Sequence, residues 1–268
     1  MDLTFYNGDH CVSFGRGTVA NQRDSSGRVV MTGVKNTWTD WGLIPASKPV
    51  ISPPAVKVKQ VDLPGCYGIL DLSTVLTGYP LYSNRTGSLE FIVRPDRSFE
   101  GTKMTVMNYL HGQSMNMYLD DDPDHYYTGI FTVTGLKADS KINGITINYD
   151  LYPFRRSLWK SDEDWLWDPF NFETGLARNW SALAVDGSLT LSITDCIEPV
   201  TPVFTPSKTM TLVHRYTAYD GTSKSSSYSL STANTAYSPL TFKPGTNTLV
   251  FTCSGSGTVH IAYRGGVL

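Results

Sequence analysis

Between Trp38 and Val93 the chain carries a stretch that few compact domains contain. Two tryptophans three residues apart, Trp38 and Trp41, lead through Leu43 and Ile44 into an arm holding Pro45, Pro49, Pro53 and Pro54. Proline lacks an amide hydrogen and fixes its own φ, so this arm is neither a helix nor a central strand. Loops of such length usually have a job or touch a partner. Turn punctuation follows at Val61-Asp62-Leu63-Pro64-Gly65, Leu70-Asp71-Leu72-Ser73, Gly78-Tyr79-Pro80 and Asn84-Arg85-Thr86-Gly87. The stretch ends in a strand with Leu89, Phe91 and Val93 on one face. The rest of the chain must fold around this stiff, tryptophan-anchored arm. At least one of the two tryptophans is expected to be buried, under its own domain or against a neighbour. Trp38, Trp41, Leu43, Ile44 and Pro53 are candidate protein-interface residues.

Before the arm, residues 1–37 read as short strands broken at Asn7-Gly8, Gly15-Arg16-Gly17 and Ser25-Ser26-Gly27. After Val93 comes one convincing helix, about 99–111. Ser98 is placed as its N-cap, Glu100 sits in its first turn, and Gly112 is placed to stop it in a left-handed turn. Met104, Met107 and Leu110 predict the face that packs on a sheet. Met115-Met117-Leu119, Phe131-Val133 and Ile145-Ile147-Tyr149-Leu151 each alternate, which predicts an antiparallel meander, its last two strands joined by a turn at Gly144. The boundary is placed after Tyr152-Pro153-Phe154, giving an amino-terminal domain over 1–154 and a carboxy-terminal one over 155–268. A boundary in the proline-spaced stretch from Glu198 to Ser207 would leave only about sixty residues, a marginal domain; the earlier one leaves about 110, a usual size for a β-sandwich. Strands are expected at Leu189-Leu191-Ile193, Met210-Leu212, Leu249-Phe251 and Val259-Ile261-Tyr263. Turns are expected at Asp220-Gly221, Pro244-Gly245 and Gly255-Ser256-Gly257, and a mobile loop at 222–235. The fold class is mainly β, with one packed helix and a β-hairpin arm.

Charge narrows the function. Only 17% of residues are charged, against ~25% in ordinary soluble proteins. Such a chain either buries surface against partner chains or is a β-rich monomer. The formal net charge is −2 and there is no basic run, so the electrostatic footprint of a nucleic-acid binder is missing. No apolar window approaches the ~18 residues of a spanning helix, and the start carries no signal-peptide pattern. Cys11, Cys66, Cys196 and Cys253 are too scattered for a zinc site and are expected to be thiols. No cofactor motif is present.

Two constellations invite chemistry. Asp120, Asp121, Asp122 and Asp124 form an acidic tip between two strands. Their alternate spacing resembles a calcium loop, but His125 and Phe131 stand where that loop needs Gly and Glu. The residues read first as a solvated turn between two strands, ahead of a weak calcium site or a catalytic carboxylate pair, which would need a walled cleft; a channel wall or docking tip needs only that the turn be acidic and exposed. Asp162, Glu163, Asp164 and Asp168 interleave with Trp159, Trp165 and Trp167, followed by Phe170. Carboxylates against apolar walls are what a sugar-cleaving site uses. The competing reading makes Trp165, Trp167 and Phe170 an aromatic seal at a protein contact. The five histidines are single, and no nucleophile–base motif appears.

Several pieces together resemble the distal tail protein family of long, non-contractile-tailed phages. They are W-x-x-W-G-L-I-P-x-S-x-P from Trp38, V-D-x-P-G, L-D-L-S, and Y-x-N-R-x-G-S-x-E-F from Tyr82. Further along stand Asn108–Gly112, Asp121–Asp124, Tyr149–Pro153, Trp167–Phe172 and the ending Ala262–Leu268. They run in order over nearly the whole chain. The resemblance implies a structural virion protein and no enzyme: a homohexameric ring at the distal tail tip, made in the host cytoplasm. Its amino-terminal domains would form the ring between the tail tube protein and the tail-associated hub, around the channel through which DNA is ejected. Its carboxy-terminal domains would be galectin-like or carbohydrate-binding-module-like sandwiches that project outward and can carry receptor-binding proteins. A carbohydrate-binding adhesin module and a polysaccharide-degrading tail enzyme are the alternatives.

Overall fold

The computed structural model describes residues 8–16, 33–138, 143–162, 180–218, 221–232 and 240–268. In chain order the strands are β1 (Val12–Gly15), β2 (Val34–Asn36), β3 (Leu43–Pro45), β4 (Gln60–Asp62), β5 (Ile69–Asp71) and β6 (Arg85–Val93). Helix α1 (Phe99–Leu110) follows, then β7 (Gln113–Leu119), β8 (Asp122–Ala138), β9 (Asn143–Leu151) and β10 (Arg155–Ser157). The remainder holds β11 (Leu183–Cys196), β12 (Val203–Pro206), β13 (Met210–Thr217), β14 (Ser223–Leu230) and β15 (Gly245–Ala262). The fold is mainly β with one helix among the described residues. It divides into two compact units, one of residues 1–56, 82–158 and 268, the other of 57–81 and 159–267.

The first unit is an antiparallel sheet ordered β2-β1-β7-β8-β9-β6-β3. Register carries its alternating apolar residues onto one face: Leu89 opposes Ile147, Phe91 opposes Ile145, and Phe131 opposes Tyr149. These side chains form a single core with Val12, Phe14, Met115 and Met117. Helix α1 belongs to the same core. Ser98 accepts the Gly101 amide at 3.4 Å as its N-cap, and Gly112 leaves the helix at φ 70°. The buried face is Thr102, Val106 and Leu110, a spacing of four, because 3.6 residues per turn rotates a spacing of three off the core. Met104 is therefore 62% exposed, off the face predicted for it, while Met107 packs at the edge of the core. Gly144 is inside β9, opposite Lys137, and is not the turn. Asn84-Arg85-Thr86-Gly87 is likewise not a turn: Arg85 opens β6 opposite Leu151.

The second unit is a curled antiparallel sheet ordered β11-β15-β13-β14, with β12 on the far half of β15. Gly255-Ser256-Gly257 does not separate two strands. It lies within β15, where the pairing with β11 shifts register between Asp186 and Ser188. A glycine cluster marks a bulge as readily as a turn. This bend lets one long strand serve β13 on one half and β12 on the other. The serine-rich stretch predicted as a mobile loop contains β14, which pairs with β13 from Ser223 to Leu230. Its solvent-facing serines suit an edge strand.

This unit buries one titratable group with its partners matched. His214 lies 2% exposed with Nε2 2.9 Å from Asn247 Oδ1, and the Asn247 amide donates to the Lys243 and Gly245 carbonyls. Burial lowers the His214 pKa, with the Lys243 charge behind it, against the Asn247 hydrogen bond. Below about pH 6.5 the unfolded chain takes a proton that the folded chain refuses. Stability is therefore full above that pH and falls as the pH drops through it towards the lowered folded value. The thermal midpoint should decline on acidification, and the decline should be shallower in His214→Gln, which donates to Asn247 without titrating. Equal declines in both proteins would contradict this assignment.

Candidate assembly surface

The segment from Asn36 to Pro45 is a tight wedge, built by its polar residues. Asn36 Oδ1 accepts the Trp38 and Thr39 amides at 2.8 and 3.1 Å, and Asp40 accepts the Asn36 amide and the Lys35 ammonium, both at 2.9 Å. Thr37 is tied to Val12 through both its amide and its hydroxyl. Gly42 holds φ 65° against the Arg97 side chain, where an added Cβ would come within 2.7 Å of Cγ. The result swings Trp41 inward, 3% exposed, stacked on Phe14 at 5.8 Å and edge-on to Tyr109 at 5.6 Å. Leu43 follows it into the same core, and Ile44, on the opposite face of β3, is buried as well, with β3 paired to β6.

These three candidate interface residues are thus corrected. Trp41, Leu43 and Ile44 are core of their own unit and leave no apolar surface for a partner. Trp38 is half-buried, with the Arg94 guanidinium 4.3 Å above its ring. Pro53 is exposed. Trp165, Trp167 and Phe170, like Glu163, Asp164 and Asp168, lie outside the described residues.

The exposed apolar surface is concentrated further along. Of the sixteen exposed large hydrophobic residues among the described ones, ten lie between Val56 and Leu81. Tyr67 and Leu76 are essentially fully exposed, and Val58, Ile69 and Val75 are each at least 60% exposed. The hairpin β4–β5, in which Gln60 pairs with Asp71 and Asp62 with Ile69, and the segments flanking it carry them. The hairpin is held by polar contacts rather than a core. Ser73 accepts the Lys59 amide, Asp71 accepts the Ser73 amide, and Leu72 donates to the Lys59 carbonyl, all at 2.8 Å. The Ser73 contacts lower the Asp71 pKa. Near its base, Tyr79 meets the Lys243 ammonium 5.7 Å from its ring centroid. A concentrated exposed apolar surface of this kind marks a contact site. The sequence reading gave this stretch a β-hairpin arm and turn punctuation but singled out none of its exposed apolar residues; the signal was the interleaving of Val, Ile and Leu with that punctuation.

The acidic tip is a two-residue turn between β7 and β8, with Leu119 opposite Asp122. Its carboxylates are engaged. Asp120 accepts the Cys11 amide at 3.1 Å, and burial raises its pKa despite that bond. Asp121 sits 2.8 Å from His10 and 3.6 Å from Lys48. Asp122 meets His125 at 2.8 Å and Arg155 at 2.9 Å. Burial pushes the Asp122 carboxyl up, but His125 and Arg155 outweigh it and leave it below the usual range. Uniform replacement by asparagine is therefore not silent, as a plain solvated turn would require. Asp122→Asn should cost about 2 kcal/mol, the range of hydrogen bonds to charged groups, whereas Asp121→Asn should cost under about 1 kcal/mol as an exposed pair. Urea unfolding of the two variants checks this, and equal midpoints would contradict it.

No group of three or more metal-ligating side chains occurs among the described residues. No protein-family model matches the sequence, and no curated protein matches it. Among solved structures the chain is similar to the SPP1 Dit protein, described as a paradigm of the hub adsorption apparatus in Gram-positive infecting phages. The identity is 14% and the TM-score 0.49, over 86% of this chain and 96% of that one. At that identity and score the likeness leaves function open.

Proposed function

We propose that this chain is a structural protein of the distal tail of a long-tailed phage, and that six copies close into a ring joining the tail tube to the tail-tip hub. The observation that carries the reading is the exposed apolar hairpin arm over residues 57–81. An arm so apolar, without a core of its own, needs a cover, and a second copy of the chain supplies one with the same surface repeated around a closed symmetry. The ordered resemblance of the sequence pieces to distal tail proteins supports it, as does the low share of charged residues.

In this reading the first compact unit, residues 1–56 and 82–158, forms the ring around the DNA channel, and the second, residues 57–81 and 159–267, carries the arm and offers the surface to which receptor-binding proteins can attach. The role is one of assembly and not of catalysis, with no cofactor. The β7–β8 tip is a docking tip or channel wall whose charge is moderated by Lys48 and Arg155. An acidic balance suits a conduit, since phosphate contacts would slow the passage of DNA. The virion tail tip is its place of action. No contact within the described residues favours the adhesin or hydrolase alternative.

Cys66 tests the reading directly. It sits at the turn of the arm and is exposed, whereas Cys11 is buried and Cys196 and Cys253 are partly buried. Maleimide modification of Cys66 should be fast in dilute protein and protected in the assembled state. Labelling that is equally fast in both states would remove the arm from the interface.

A further inference from the structure

An open pocket of about 400 Å³ lies in the first unit, with Pro53, Pro54, Tyr82, Arg85, Tyr127 and Arg155 in its lining. Arg85 is only 5% exposed, an unusual setting for a guanidinium. Its Nε donates to the Pro153 carbonyl at 2.7 Å and its Nη1 to the Ser52 carbonyl at 3.1 Å. Both acceptors are neutral. Its Nη2 is buried and finds no hydrogen-bond partner. Arg155 gives Nη1 to Asp122 at 2.9 Å, and its Nε is also buried without a partner. Burial lowers the Arg85 pKa, and the Arg155 charge contributes, so the two cations sense one another. The Asp122 carboxylate serves Arg155 and His125, Arg85 has no carboxylate partner, and each guanidinium keeps one idle donor. Buried donors and charges are normally matched.

We propose that this pocket binds a carboxylate, held by Arg85 Nη2 and Arg155 Nε. Two donors match two carboxylate oxygens, and guanidinium donors are suited to planar oxyanions. A phosphate dianion fits less well, because it would add a second negative charge beside Asp122 and offers more oxygens than there are idle donors. Pro53, Pro54 and the Tyr82 ring give apolar walls for an aliphatic stem. The ligand is either a small free carboxylate or an acidic side chain presented by another protein. This inference is independent of the ring, and its failure leaves that reading untouched.

Calorimetric titration of the full chain at fixed ionic strength tests it, using acetate, an acetylated and amidated Ala-Glu-Ala peptide, and inorganic phosphate. At least one carboxylate probe should bind at one site per chain. Arg155→Gln should weaken that binding at least tenfold, and Pro54→Trp, which fills the lining without touching either arginine's existing hydrogen bonds, should do the same. Tighter binding of the peptide assigns the site to a protein side chain; tighter binding of acetate assigns it to a free carboxylate. Absence of binding by both carboxylates, preference for phosphate, or titrations unchanged in both variants would overturn the proposal.

Discussion

Trp41→Ala is expected to lower the unfolding free energy of the chain's first unit by about 3–5 kcal/mol, the cost of truncating a buried tryptophan. The indole is 3% exposed, stacks on Phe14 and meets Tyr109 edge-on, so its removal opens a void between β1, β3 and α1 that packed neighbours cannot fill. Trp38→Ala should cost less, since that ring is half-buried, lying under Arg94 and against Gly8 rather than inside the core. Urea unfolding followed by tryptophan fluorescence and circular dichroism separates the two. If Trp41→Ala unfolds at the wild-type midpoint, the wedge from Asn36 to Pro45 does not anchor the sheet edge.

The second large effect belongs to the arm. Tyr67→Ser combined with Leu76→Asp is expected to abolish self-association while leaving the monomer's thermal midpoint nearly unchanged. In the single chain both side chains are open to water, so the monomer loses little by their replacement, within about 0.5 kcal/mol each. At an interface, a buried aromatic or aliphatic anchor is worth about 2 kcal/mol or more, roughly a thirtyfold change in affinity per anchor. An added aspartate would also be desolvated without a partner, which is costlier still. Light scattering across a concentration series reads the association, and differential scanning fluorimetry reads the fold. A double variant that associates like wild type would show that the arm serves some other contact.

The contrast between these two regions shows what the sequence could and could not carry. Helix α1 was legible because Ser98, Glu100 and Gly112 act locally: a cap, a first-turn charge and a left-handed stop are decided within a few residues. The meander β7–β8–β9 was legible because alternation with a period of two needs only one buried face. Burial of short apolar runs was not legible. Leu43 and Ile44 are consecutive and both buried, whereas Ile69 and Leu70 are consecutive and both exposed. Nothing local distinguishes them; the difference is that β3 joins a sheet with a core, while β5 pairs only with β4. The same limit hid Arg85, which looked like part of a polar turn and proves to be a buried cation at the start of a strand. The glycines at 255 and 257 read as a turn because a bulge inside a long strand draws on the same residue type.

The central claim is a closed ring of six chains, and electron-microscope class averages of the purified protein, paired with its mass in solution, test it most directly. Six copies of a 29.6 kDa chain give a particle of about 178 kDa, and the averages should show a six-fold ring with a hollow centre. A single species near 30 kDa at every concentration, with compact particles and no central hole, would contradict it.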